Sequence, residues 1–230
     1  MIEAVLFDLD ATLLENDLDR FIRTYMRSLS LSLAQLMPPE EFIRYLWGAT
    51  SKMAENVDPK VTNEDAFRDA FDELSPRPLA ELEPAINRFY AHEFGKLIGC
   101  TRRKPAARSI VKTVVAQGRS VVVATNPVFP LTAIAQRMEW AGVADLPFSL
   151  VTAYENMHFT KPHGAYYQEI ADLIGVPAER CLMVGDDLKL DRPATEIGMC
   201  FYWISDNGAG DAMQGSLEDL HALILNGFLD

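Results

Sequence analysis

The chain has little of several things that would take it outside an ordinary globular fold. Only three cysteines occur in 230 residues, at Cys100, Cys181 and Cys200, and none forms a CxxC pair. This argues against a disulfide framework and against a zinc site. Cys181 and Cys200 lie in apolar runs and read as buried thiols. Basic residues are also scarce, with 21 Lys and Arg against 33 Asp and Glu, a formal net charge of −12. Such an excess repels phosphate backbones and anionic headgroups, so neither nucleic acid nor a membrane surface is an expected partner without a local basic patch. The basic run Arg102-Arg103-Lys104 is too short to provide one. No uncharged apolar stretch reaches the roughly 18 residues of a transmembrane helix. The opening MIEAVLFDLD is acidic at Glu3 where a signal peptide starts basic, so none is expected and the cytoplasm is the expected compartment.

What is present is a large apolar fraction, 49% hydrophobic against 23% charged residues. That suffices for one large domain or a main domain with a smaller companion. The first strong segment, AVLFDLD at residues 4 to 10, has the length of a buried strand and ends in acids. The next such strand, VVVAT within residues 120 to 125, comes much later. The interval is helical in texture. Phe21, Ile22, Tyr25, Met26, Leu29 and Leu33 recur at helical spacing before Pro38, and a second helix is expected from Pro39. Thr62 and Asp65 form a capping signal for a third, and a fourth is expected over residues 79 to 96.

After residue 104 helices and strands alternate, the mark of a parallel sheet covered on both faces. Helices are expected at 105–117, 130–141, 164–174, 190–197 and 216–227, with strands at 148–152, 181–186 and 200–204. The fold class is therefore α/β: a doubly wound, Rossmann-like parallel sheet with an all-helical insertion after the first strand. The expected boundaries are 1–14 and 100–230 for the α/β core and 15–99 for the insertion.

Ligands of such sheets bind outside the carboxyl ends of the strands. Those ends carry Asp8 and Asp10, then Thr125 and Asn126, then Asp186 and Asp187, with Asp191 a helical turn later and Lys161 in an intervening loop. Carboxylates that converge need a cation, and an oxygen-only set suits Mg²⁺. Carboxylate nucleophile, metal, hydroxyl and lysine together make a phosphoryl-transfer site. Asp8 would attack phosphorus to give an aspartyl phosphate and Asp10 would serve as acid and base. Thr125, the Asn126 amide and Lys161 would hold phosphoryl oxygens. Asp186 would bind Mg²⁺ with Asp8, and Asp187 and Asp191 would complete or brace that shell.

These residues resemble the motifs of the haloacid dehalogenase-like (HAD) hydrolases. FDLDATLL resembles the first motif, DxDGT at a strand end; VVVATN the second; Lys161-Pro162 the third; and GDDLKLD, residues 185 to 191, the fourth. They occur in the family's order. The resemblance implies Asp8 as nucleophile, Asp10 as acid and base, Thr125 and Lys161 as phosphate ligands, and Asp186 as metal ligand, joined by the Asp10 main-chain carbonyl. It also implies that the insertion is a helical cap, as in the phosphoglycolate phosphatase-like branch. Ala11 departs from the motif, whose glycine permits a positive φ.

The expected function is a Mg²⁺-dependent phosphatase of a small phosphorylated metabolite. A phosphomutase or a 2-haloacid dehalogenase could use the same fold, and a non-catalytic interaction protein is the alternative of another class. A signalling receiver is disfavoured, because Lys161 precedes the second acidic pair and the insertion has no place in it. Halide leaves without a proton, so Asp10 favours phosphate esters. His158 and His163 flank Lys161, and Arg20, Tyr45, Trp47 and Lys52 lie in the insertion; for these, exposure and packing are the simpler expectation. Neither substrate nor oligomeric state is readable from the sequence.

Overall fold

The computed structural model describes residues 1–205 and 213–230. Strand β1 (Ala4–Phe7) is buried along its whole length, as its unbroken apolar run requires. A short strand β2 (Leu14–Asn16) leads into α1 (Leu18–Ser32), α2 (Pro39–Ala54), α3 (Asn63–Leu74) and α4 (Leu79–His92). The chain returns through β3 (Thr101–Arg103), which pairs antiparallel with β2, Leu14 facing Arg103. The alternating part follows: α5 (Pro105–Ala116), β4 (Ser120–Val123), α6 (Leu131–Ala141), β5 (Leu150–Val151), α7 (Gly164–Ile174), β6 (Cys181–Gly185), β7 (Cys200–Ile204), β8 (Gln214–Gly215) and α8 (Leu217–Leu225).

Six strands form one sheet in the order β5-β4-β1-β6-β7-β8. Every pair in it is parallel, and β1 lies at the centre with Phe7 beside Val123 and Val184. Its period of two divides the core. Val5 and Phe7 face a large cluster that continues into the insert through Phe21, Tyr25 and Phe94, while Ala4 and Leu6 face a smaller one with Tyr166, Tyr167 and Met183.

Local signals account for most boundaries. Thr62 caps α3 by accepting from the Asp65 amide, and Ser216 and Asp219 close a capping box on α8. The differences have local causes too. The fourth insert helix stops at His92 and gives way to a 3-10 segment, Phe94–Cys100, that contains Gly95 and Gly99. The helix expected at 190–197 is a 3-10 segment, Arg192–Ile197, with Pro193 at its start. Strands β2, β3 and β8 were not foreseen, since two or three residues are too few to show a period. Cys181 is buried as expected, whereas Cys200 is exposed because it opens β7, whose pattern becomes buried only at Tyr202.

The insert is bonded directly to the loops of the α/β part. The Asn63 and Glu64 amides donate to the Met157 and Tyr154 carbonyls, both at 2.8 Å. The Asn63 side-chain amide reaches the Phe159 carbonyl at 3.2 Å and the Pro127 carbonyl at 3.4 Å, and Asn56 reaches the His158 carbonyl at 3.2 Å. No helix among the described residues is long and apolar enough to cross a membrane.

Candidate active site

Because the six strands are parallel, their carboxyl ends share one edge, and the first acidic residue stands at its centre. The Asp8 amide donates to the Val184 carbonyl at 2.8 Å, so the residue just past β1 is still held by the sheet. Its carboxylate accepts from Lys161 Nζ at 2.8 Å, and the same ammonium donates to Asp191 Oδ1 at 2.6 Å. All three residues are buried. Gly185 makes room for this arrangement: a Cβ there would lie 2.1 Å from Asp191 Oδ2.

Asp10 has partners of its own. Its Oδ1 accepts from Asn16 Nδ2 at 2.9 Å, and its Oδ2 is paired with Arg137. Arg137, on α6, is 1% exposed and lies 4.6 Å from the centre of the Phe129 ring. Sequence reasoning missed it. The available signal was a charge on the apolar stripe of α6, between Ala133 and Ala141 at four-residue spacing. Between the two aspartates and β2 the chain turns sharply, and Ala11 takes φ +58°, the conformation for which the motif ordinarily supplies glycine. Thr12 Oγ1 then lies 3.4 Å from Asp186 Oδ1.

The other candidates divide between this edge and roles of their own. Thr125 is buried, and its carbonyl accepts from Thr152 and Tyr166 at 2.7 and 2.8 Å. The Asn126 side chain accepts from the Lys161 amide at 3.1 Å, so it positions the lysine loop, a function its sequence position did not reveal. Asp187 Oδ1 accepts from the amides of Lys189 and Leu190, which makes it a turn former. Asp191 is turned onto Lys161 and the Asp187 amide. The five acids therefore differ in their partners: Lys161 bonds Asp8 and Asp191, Asn16 and Arg137 hold Asp10, and Asp187 serves its own turn. His158 is bonded to Glu169 at 2.6 Å, and His163 is exposed. Arg20 is exposed, Tyr45 accepts from Arg44, and Lys52 pairs with Glu73.

Charge balance tests the expected metal. Burial raises the Asp8 carboxyl to about 8, against the pull of Lys161. Burial, then Asp191, raises Asp186 to about 6. Burial disfavours the Lys161 ammonium, but Asp8 and Asp191 reverse this and hold it well above the usual lysine range. Asp8 and Asp191 thus share the Lys161 ammonium and Asp186 lies within its field, a balance that a divalent cation would suit. The Asp8 and Asp186 carboxylates, with the Asp10 carbonyl, would offer oxygen ligands of the kind Mg²⁺ takes. No group of three or more His, Cys, Asp or Glu side chains among the described residues is arranged to hold a metal.

A central parallel strand ending in Asp8-Leu9-Asp10, with a lysine and further acids from adjacent loops, defines a hydrolase-type α/β fold. The family profile of the haloacid dehalogenase-like hydrolases matches residues 2–196. The chain belongs to that family. No curated protein matches it in sequence. Among solved structures it is similar to a HAD phosphatase from Thermococcus onnurineus, at 19% identity and TM-score 0.58, over 97% of this chain and 98% of that one. It is similar to a 2-haloacid dehalogenase from Pseudomonas syringae pv. Tomato DC3000, at 20% identity and TM-score 0.60, over 98% and 99%. A third is the HAD-hydrolase YfnB from Bacillus subtilis bound to magnesium, at 19% identity and TM-score 0.55, over 97% and 98%. At these identities the likeness is one of fold.

Proposed function

We propose that the chain is a Mg²⁺-dependent phosphatase of a small phosphorylated metabolite, working through an aspartyl phosphate on Asp8. The observation that carries this reading is Asp10, a second carboxylate two residues from Asp8 and separately held by Asn16 and Arg137. Departing alcohol needs a proton and departing halide does not, so a second positioned acid belongs to ester cleavage. The magnesium-bound relative supports the choice of metal.

In the first step Asp8 attacks phosphorus, the bond from phosphorus to the ester oxygen breaks, and Asp10 protonates that oxygen. In the second, Asp10 takes a proton from water, which attacks phosphorus and releases phosphate and free Asp8. Lys161 carries charge next to Asp8, and the Thr125 hydroxyl and Asn126 amide meet the phosphoryl oxygens. Mg²⁺, held by Asp8, Asp186 and the Asp10 carbonyl, would neutralise charge on the transferring group. Both Asp10 oxygens accept here, from Asn16 and Arg137, so reaching the ester oxygen requires release from one of them.

The test is hydrolysis of p-nitrophenyl phosphate. Turnover should require Mg²⁺, vanish in Asp8→Asn and fall about 10²- to 10⁴-fold in Asp10→Asn. Undiminished turnover in Asp8→Asn refutes the assignment, and retained carbon–halogen cleavage by Asp10→Asn would make the protein a dehalogenase.

A further inference from the structure

A cavity of about 390 Å³ lies between the four insert helices and the loop Val128–Pro130. That volume is at the small end of the range for ligand sites. Its wall is largely apolar, with Tyr25, Trp47, Phe67 and Phe129 among its rings.

Several polar groups of this wall are already partnered, and Asn87 and Tyr154 stand beside them. The Tyr25 and Tyr90 hydroxyls bond each other at 2.8 Å, and the Thr50 hydroxyl donates to the Leu46 carbonyl at 2.8 Å. Arg68 is held by Glu83 at 2.5 Å and lies 3.6 Å from Glu64. A sugar or a second phosphate placed here would leave hydroxyls or charge without partners. An aromatic or branched apolar group would not, and ring faces favour it further.

Position ties the cavity to the chemistry. Val128–Pro130 follow Thr125 and Asn126 directly, and Phe129 belongs to the wall while its ring also lies 4.6 Å from the Arg137 guanidinium. Arg137 in turn is paired with Asp10, the acid that meets the departing oxygen. The cavity wall is therefore linked through Phe129 and Arg137 to the acid assigned to the leaving group.

We infer that this cavity takes the carbon skeleton of the leaving alcohol, so that the substrate is a phosphate monoester of an aromatic or bulky apolar alcohol. The inference rests on the phosphatase reading. Its test compares 2-phenylethyl phosphate with ethyl phosphate, two esters whose alcohols leave with similar ease. The wild-type protein should prefer the first by tenfold or more in kcat/KM, chiefly through KM. Filling the cavity from two different helices, by Thr50→Phe and by Ile86→Phe, should bring that ratio towards one, with folding checked by circular dichroism. Turnover of both esters at equal kcat/KM overturns the inference and leaves the phosphatase reading intact, as does an unchanged ratio in both folded variants. Failure to hydrolyse either ester or p-nitrophenyl phosphate overturns the phosphatase reading and the inference with it.

Discussion

The strand-end cluster and the cavity in the insert differ in how they are built. At the strand ends the main-chain ladder fixes Asp8, Gly185 leaves space for Asp191, and Lys161 bonds both acids, so each group depends on the next. The cavity is walled by rings from several helices and leaves its charges paired at Arg68, Glu64 and Glu83. One region demands particular atoms in particular places; the other demands only shape and low polarity. Reaction type is therefore constrained by the first, and choice of leaving group by the second.

The sharpest way to break this contrast is to remove the ammonium on which the cluster depends. Lys161→Met leaves Asp8 and Asp191 buried without their cation and should cost about 3–5 kcal/mol in urea unfolding at neutral pH. The loss should be smaller in acid, where carboxyls are neutral and the missing ammonium has no charge to balance. An equal loss at both pH values would mean that packing, not charge, is what Lys161 contributes. Between the two regions stands Asn63, whose amide reaches the Pro127 and Phe159 carbonyls. Asn63→Ala should lower stability by about 1–3 kcal/mol. It should also reduce phosphatase turnover, because those carbonyls adjoin the segments carrying Asn126 and Lys161. Stability lost with unchanged kinetics would separate the seam from the chemistry.

Two smaller effects sharpen the picture of the cluster alone. The Asp186 carboxyl, raised to about 6 by burial and by Asp191, lies above its unfolded value of about 3.9. The protonated acid therefore favours the fold fully below about pH 4, and this contribution fades as pH rises through about 6. Without divalent cations Tm should fall across that window, and added Mg²⁺ should raise Tm most above it. A Mg²⁺ response independent of pH would argue against Asp186 as a ligand. Finally, Ala11→Gly replaces a residue held at φ +58°. Relief of about 1–2 kcal/mol of left-handed strain, less the cost of about 0.5–1 kcal/mol of added chain entropy, should leave a net gain of about 0–1.5 kcal/mol on thermal unfolding.

The α/β alternation was legible because buried parallel strands are continuous apolar runs and their helices end at glycines; Gly142 and Gly175 both adopt the left-handed conformation. Motif order puts Asp8 and Lys161 on segments that meet, and the two are bonded at 2.8 Å. What stayed hidden depends on contacts between segments distant in sequence. Arg137 pairs with Asp10 across 127 residues, and Asn63 reaches Pro127 across 64. Neither belongs to a motif. Asp187 and Asp191 looked alike as acids, and only the lysine at 2.6 Å distinguishes the second from a turn former.

The β2–β3 pair has a consequence for descent. Leu14 faces Arg103 and Asn16 faces Thr101, so the insert begins and ends at one place on the α/β part. A segment anchored in that way can lengthen, shrink or be exchanged while the order of the strands stays as it is. Inheritance can thus keep the reaction and replace the chamber around it, with the three-residue ribbon as the seam where the two histories meet.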